Sequence, residues 1–481
     1  MDILLDSPHP LTLERRDLLV QGVRQARRLG KPIVVSLTEL IAPLDVIDLF
    51  DRARPFVANR YLWAQPGGDF ALVGLGVAHA LDAVEASRFR QAAAAWRRLL
   101  SGAIIEGPRG LPGAGPLLLG GFAFDAQRPT TPLWEGYPHG RLILPKLLFT
   151  RDDDEMWLTT NVVVNPNTDP DVDAHTIEAL QANVLAALRS NGHRSPNGYL
   201  PQITLKELRP AEEWQAEVAR AVGAIRRDEF EKVVLARAVQ LHSAKDFNPA
   251  SALRVLAANY VGCYLFAIAR GNDGTPNEQC FLGATPEQLV RLRGDEVHAM
   301  SLAGSIKRGE TPEADAELGQ ALLDSAKDRR EHDVVTQTIT ENLDEACLSL
   351  RVAETPKLLK LGNIQHLCTP ITGRLSNGYT IFDLVERLHP TPAVGGRPRE
   401  ATLHFIRQHE GLDRGWYAGP VGWVNAEGEG EFAVALRSAL LRGGTATLFA
   451  GCGIVADSDP EREYAESELK FKPMLSALTN C

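Results

Sequence analysis

Residues 430–470 read GEFAVALRSALLRGGTATLFAGCGIVADSDPEREYAESELK. Gly430 to Leu441 is one strand-like run and Thr445 to Ala450 a second, with no helix between them. Both are rich in Ala, Val, Leu and Phe, and both stop at polar or glycine-rich sequence, as strands do. A helix follows. Ser458-Asp459-Pro460-Glu461 supplies an N-cap candidate, proline at the first helical position and acidic residues in the first turn. Two strands in succession and then a helix is the pattern of an antiparallel sheet covered by helices, not of strictly alternating βαβ units.

The same pattern extends in both directions. Upstream, Lys232–Leu241, Cys263–Arg270, Cys280–Ala284 and Gln288–Arg293 read as strands, the last turning at Gly294-Asp295. They follow a helix with Trp214, Val218, Ala221, Val222 and Ile225 on one face, and Asp315–Leu350 reads as mostly helical. In the first part, Pro32–Thr38, Phe70–Gly76, Leu117–Asp125 and Met156–Val164 read as strands. Ala83–Leu100 reads as a helix, and so does Thr176–Ser190, by the spacing of Ile177, Leu180, Val184 and Leu188. Asn191–Gln202, rich in Gly, Pro, Asn and Ser, is the best break in the chain. Strands come in runs separated by groups of helices, so the fold class expected is α+β with largely antiparallel sheets.

Composition removes several classes of function. The chain has 481 residues, is 44% hydrophobic and 23% charged, and carries a formal charge of −10. That is an ordinary globular composition with enough sequence for one large body or several smaller ones. No basic block is interleaved with aromatics, so a nucleic-acid partner is not expected. No run of about 18 apolar residues exists, so no membrane span is expected. The start, MDILLDSPHP, lacks the basic and apolar regions of a secretory signal. The six cysteines form no CxxC pair, which fits reduced thiols in a cytoplasmic protein. Val73 to His79 (VGLGVAH) imitates a dinucleotide loop, but His79 stands where the third small residue belongs. No phosphate loop, HExxH or GxSxG occurs.

Four places could carry chemistry. On the terminal helix, Glu463, Glu466 and Lys470 recur at i, i+3 and i+7 and share a face. A solvated stripe explains that spacing as well, but a strand entering Gly451-Cys452-Gly453 precedes it, and such a turn lets backbone N–H groups approach an anion. Lys327 to Asp333 (KDRREHD) is a second acidic cluster. If Glu331 met Glu466 in space, their oxygens would suit Mg²⁺. Glu287 closes a strand in apolar surroundings and could be held neutral as a general acid. Lys232 opens an apolar strand and could serve as a base. Taken singly, the last two are also ordinary strand-edge residues.

Seven segments in order resemble the chorismate-using enzymes, and among them the isochorismate synthases. They are Phe230–Arg237, Gly283–Glu287, Leu302–Ser305, Lys327–His332, His389–Gly396 (HPTPAVGG), Ala418–Trp423 (AGPVGW) and Gly451–Glu466. The resemblance is strong over 205–478. Before that it is carried mainly by Gly120–Asp125 (GGFAFD), so residues 1–204 are expected to form an N-terminal part of the same body and 205–481 the chorismate-binding region. The implied fold is two large, mostly antiparallel sheets packed together with helices outside, which makes Asn191–Gln202 a surface loop.

The implied chemistry adds water at C2 of chorismate and expels the C4 hydroxyl, with no metabolic destination (menaquinone or siderophore) singled out. Lys232 matches the general base and Glu287 the general acid. Glu331 and Glu466 match Mg²⁺ ligands, with Glu463 acting through a water. Arg437, on a strand running Phe432–Leu441, Lys470 and the N–H groups of Gly451 and Gly453 match groups that hold the substrate's carboxylates. Gly304 and His366 match residues lining the ring and its leaving hydroxyl. Relatives that use ammonia lack Lys at position 232 and carry Thr where Ala393 stands, and one such class has a nucleophilic Lys where this chain has Ala303. Water is therefore the expected nucleophile, with no glutaminase subunit, and the molecule is expected to be a monomer or homodimer. Salicylate synthase, which goes on to eliminate pyruvate, is the alternative enzyme. A small-anion binder without catalysis is the alternative from another class, and it would have no use for an acid and a base.

Overall fold

The computed structural model describes residues 10–108, 110–129, 131–189, 203–271 and 278–479. Asn191–Gln202 lies outside them. Two sheets make the body, one of 13 strands and one of 10. Every strand pair in them is antiparallel except Ile33–Ile41 with Ile104–Glu106. Strands from early in the chain lie inside both sheets. Arg60–Ala64 pairs with Tyr264–Arg270 in the larger, and Leu117–Phe122 with Pro420–Asn425 in the smaller.

The larger sheet is buried on both faces, which explains strands that read as nearly unbroken apolar runs. Along Arg60–Ala64 and Phe70–Leu75 the alternation is clear. Tyr61, Trp63, Phe70 and Leu72 join a core shared with Leu119, Phe122, Val421 and Phe432 of the smaller sheet. Leu62, Ala64, Ala71 and Val73 point the other way, into a second core under helices Val46–Arg52, Pro249–Asn259 and Pro460–Thr479. Sheet packs on sheet with helices outside, as the resemblance implied.

Two crossings between the sheets sit side by side. The chain leaves the larger sheet after Thr285 and enters the smaller at Gln288, passing through Pro286-Glu287. It returns between Val434 and Ser438, passing through Arg437. The crossings are bonded to each other: Val434 N–H donates to Glu287 O (3.0 Å), Ala284 N–H to Arg437 O (3.2 Å), and the Thr285 hydroxyl to Val434 O (2.6 Å).

Arg437 therefore does not lie on a continuous strand from Phe432 to Leu441. Its φ is 47°, a left-handed conformation that costs a non-glycine residue on the order of 1–3 kcal/mol. The apolar pattern runs through the turn because both strands are buried. Two other boundaries differ from expectation. The Ala83–Leu100 helix begins at Arg88, since His79–Ala83 pairs as a strand with Gly140–Leu144. The helical run ends at Asp344, and Cys347–Val352 is an edge strand of the smaller sheet. The terminal helix starts at Pro460 as read, with Asp459 Oδ1 accepting the Arg462 N–H at 3.0 Å.

Candidate active site

A cleft of about 880 Å³ opens where the sheet crossings, the glycine-rich end of strand Thr445–Ile454 and the N-terminal halves of helices Ala326–Asp344 and Pro460–Thr479 converge. All twelve residues singled out from the sequence line it: Lys232, Glu287, Gly304, Glu331, His366, Ala393, Arg437, Gly451, Gly453, Glu463, Glu466 and Lys470.

Lys232 begins the strand Lys232–Ser243 and is 2% exposed. Its Nζ lies 2.8 Å from Glu331 Oε1. Val234 pairs with Gly453 on the neighbouring strand. A Cβ at Gly453 would sit 2.6 Å from Glu331 Oε1 and 2.9 Å from Lys232 Cε, so only glycine leaves room for this pair. Burial raises the Glu331 carboxyl, but Lys232, by charge and hydrogen bond, with help from Lys470 and Lys327, brings the net shift below the usual carboxylate value.

Glu287 is also buried, and it makes no ion pair among the described residues. Burial pushes its carboxyl up to about 7, against the opposing pull of Lys232, Arg437 and Lys470. The Thr391 hydroxyl lies beside it without a well-aligned hydrogen bond. This is the condition a general acid needs near neutral pH.

His366 faces a bulge. The pairing of Glu296–Lys307 with Ile364–Leu375 slips between Ala303 and Ser305, where Gly304 takes φ 74°. That turns the Gly304 carbonyl toward His366 Nδ1 (3.3 Å), with Ser305 Oγ at 2.8 Å from the same nitrogen. A carbonyl only accepts, so the network assigns the proton to Nδ1. Burial, with Arg437 and Lys470, lowers this imidazole to about 3, so it is neutral. Nε2 is then a buried acceptor with no partner among the described residues, available to a substrate hydroxyl.

The carboxylate-binding side is cationic. Lys470 Nζ donates to Gly451 O (2.9 Å) and meets Glu466 at 2.7 Å. The partly buried Arg437 guanidinium makes no hydrogen bond or ion pair among the described residues, so its planar fork is available to a carboxylate. Tyr417 and Lys327 also line the cleft and were not singled out from the sequence. Tyr417 stacks on Phe449 with ring centroids 5.2 Å apart, and it directly precedes the AGPVGW segment that signalled the neighbourhood. Lys327 reaches Glu463 at 3.3 Å, and its place in the KDRREHD cluster was the signal for it.

For a metal, the donor set fits a hard divalent cation. Glu463 and Glu466, one turn apart, converge with Cys452, and burial followed by the neighbouring Glu466 charge raises the Glu463 carboxyl. Two close carboxylates that disfavour each other's charge are what a divalent cation relieves. The Cys452 thiol, pushed up by burial and donating to Glu463 O (3.2 Å), remains a neutral packing group. Glu331 lies in the same cleft but is held by Lys232 rather than grouped with the other two.

Comparison with known proteins identifies the family. The model of a family described as chorismate binding enzyme matches residues 21–479. A salicylate biosynthesis isochorismate synthase from Pseudomonas aeruginosa is 40% identical, over 96% of this chain and 94% of its own. The isochorismate synthase MenF of Bacillus subtilis is 34% identical, over 96% and 97%. Among solved structures, the menaquinone-specific isochorismate synthase of Escherichia coli superposes with a TM-score of 0.74 at 27% identity, over 96% of this chain and 99% of that one. Anthranilate synthase component I of Streptococcus pneumoniae, at 22% identity and a TM-score of 0.61, shares the fold.

Proposed function

The chain belongs to the chorismate binding enzyme family, and from that premise we propose that it isomerises chorismate to isochorismate with water as nucleophile. The observation that carries this is the facing pair Lys232 and Glu287 in one cleft, with the Glu287 carboxyl near 7. An enzyme that uses water needs a base for it, and one that expels hydroxide needs an acid. Both residue types are present, and relatives named isochorismate synthase match 96% of the chain.

Glu287, neutral below about pH 7, donates its proton to the departing C4 hydroxyl, which leaves as water. Lys232 takes a proton from the water that adds at C2. A base acts through a free lone pair, and the Lys232 Nζ that carries it lies 2.8 Å from Glu331 Oε1. The two transfers cancel, so substrate and product are isomers and both side chains are reset by exchange with solvent. Each role is worth roughly 10²–10⁴-fold, about 3–5 kcal/mol. Arg437 and Lys470 bind the carboxylates, and His366 Nε2 accepts from a ring hydroxyl. Mg²⁺ held by Glu466, Glu463 and a Glu331 drawn from Lys232 would supply charge compensation for the substrate's carboxylate. Water needs no ammonia-supplying subunit.

The test is incubation with chorismate, with and without Mg²⁺, and chromatography of the products. Isochorismate is expected, abolished by EDTA and restored by Mg²⁺. Stoichiometric pyruvate and salicylate would replace this reading with that of a lyase, and full turnover in metal-free buffer would remove the metal from it.

A further inference from the structure

Arg414 lines the same cleft but differs from Arg437 in one respect: four of the five N–H donors of its guanidinium are engaged by protein. Nε donates to Glu410 Oε1 (2.6 Å), Nη2 to Glu410 Oε2 and to Val234 O (2.7 Å), and Nη1 to Val394 O (2.8 Å). Glu410 Oε2 in turn accepts the Ala236 N–H at 2.7 Å. The guanidinium lies 4.2 Å from the centroid of the Phe124 ring. Arg414 and Glu410 are 3% and 1% exposed.

An ion pair this deep is a poor source of stability, because desolvating both charges offsets most of their attraction. What it fixes is geometry. It grips the strand of Lys232 at two backbone positions, Val234 and Ala236. It also grips the loop that carries Ala393 and, three residues before Val394, the Thr391 that lies beside Glu287. Val234 N–H donates to Gly395 O at 2.9 Å and closes the same contact.

We propose that Arg414 and Glu410 are positioning residues for the reaction, setting the base strand of Lys232 against the Thr391–Val394 loop that backs the acid. This rests on the acid and base assignment above. Arg414 acts through these backbone carbonyls, which take two of its four bonded donors. A lysine could keep the charge but could not span Glu410, Val234 and Val394 with one planar group.

The test is a double-mutant cycle read by kcat and KM for chorismate, normalised to folded enzyme. Arg414→Lys should lower kcat about 10–100-fold with KM within about threefold of wild type. In a Lys232→Ala background the same change should cost less than about threefold, because the group being positioned is gone. An equal loss in both backgrounds marks a general structural role and overturns the proposal. So does a change confined to KM, which would mean that Arg414 binds substrate. Should Arg414→Lys not fold, Glu410→Gln, which keeps the side-chain shape but turns one of the two oxygens that hold the Arg414 fork and the Ala236 N–H into a donor, is read by the same cycle and the same criteria. Wild-type isochorismate formation is measured first. Its absence overturns the assigned reaction and this proposal together, whereas wild-type activity with additive losses overturns this proposal alone.

Discussion

Glu287 and Glu331 line the same cleft, the first buried and the second partly buried, yet they are driven in opposite directions. Glu331 has an ammonium at 2.8 Å and is pulled below the ordinary carboxylate range. Glu287 feels Lys232, Arg437 and Lys470 only through space, and burial carries it to about 7. Burial alone does not decide protonation; a bonded cation does. Placing one lysine against one of two glutamates therefore gives the cleft a neutral acid on one wall and an anion on the other.

The largest effects come from removing the groups that make this asymmetry useful. Lys232→Ala and Glu287→Gln should each lower kcat by about 10²–10⁴-fold, with smaller changes in KM, because each acts on a proton in flight and not on substrate binding. Lys232→Ala also strips Glu331 of its partner, so an added acid-range titration in the pH profile of that variant is expected. Lys232→Ala activity within a few-fold of wild type would show that another group activates the water.

The second test reads the two glutamates through stability. Glu287 is raised, so between about pH 4.5 and 7 the unfolded chain releases this proton and the folded one keeps it. Stability falls as pH rises across that window, by about 3 kcal/mol once pH exceeds 7. Glu331 is lowered, so its contribution has the opposite sign: present above the ordinary carboxylate pKa and lost as pH falls through the lowered one. Urea unfolding at pH 5 and pH 8 should show Glu287→Gln gaining stability relative to wild type at the higher pH, whereas Glu331→Gln should be less stable than wild type by a similar amount at both, its deficit shrinking only as pH falls below 4.5. Equal pH dependence in the two variants would erase the contrast.

The parts of this site that are local in sequence were legible in it. Residues 445–470 place a strand, a glycine turn and a capped helix in succession, and Glu463, Glu466 and Lys470 share a face by spacing alone. The meeting of Lys232, Glu287 and Glu331 was not readable from spacing. They come from a strand, a crossing between the sheets and a helix, and only the order of the motifs suggested one site. The crossing at Arg437 left no trace, because apolar residues flank it on both sides and an arginine with φ 47° has no marker comparable to glycine. Glu410 and Arg414 carry no signal in the sequence beyond their i, i+4 spacing. That both are buried depends on the strand and loop they hold, which lie 20–180 residues away in the chain.

The smallest effect tests the side of the cleft between the two glutamates. Ala393 is half-buried there, one residue before the Val394 carbonyl that Arg414 holds and two after Thr391. It offers a methyl group where ammonia-using relatives are expected to carry threonine. A threonine would narrow the site and place a hydroxyl within reach of the nucleophile or of the substrate's side chain. Ala393→Thr should slow isochorismate formation by a factor corresponding to about 1–3 kcal/mol, the usual cost of added bulk in a packed pocket. Its new hydroxyl would also give the enolpyruvyl group a partner, so pyruvate should appear as a minor product, measured by a coupled dehydrogenase assay alongside chromatography. The backbone at 393 is held by the neighbouring Val394 contact, so the loop should not move away to relieve the crowding. A variant as fast as wild type and free of pyruvate would mean that this position neither limits the pocket nor helps to stop the reaction at isochorismate.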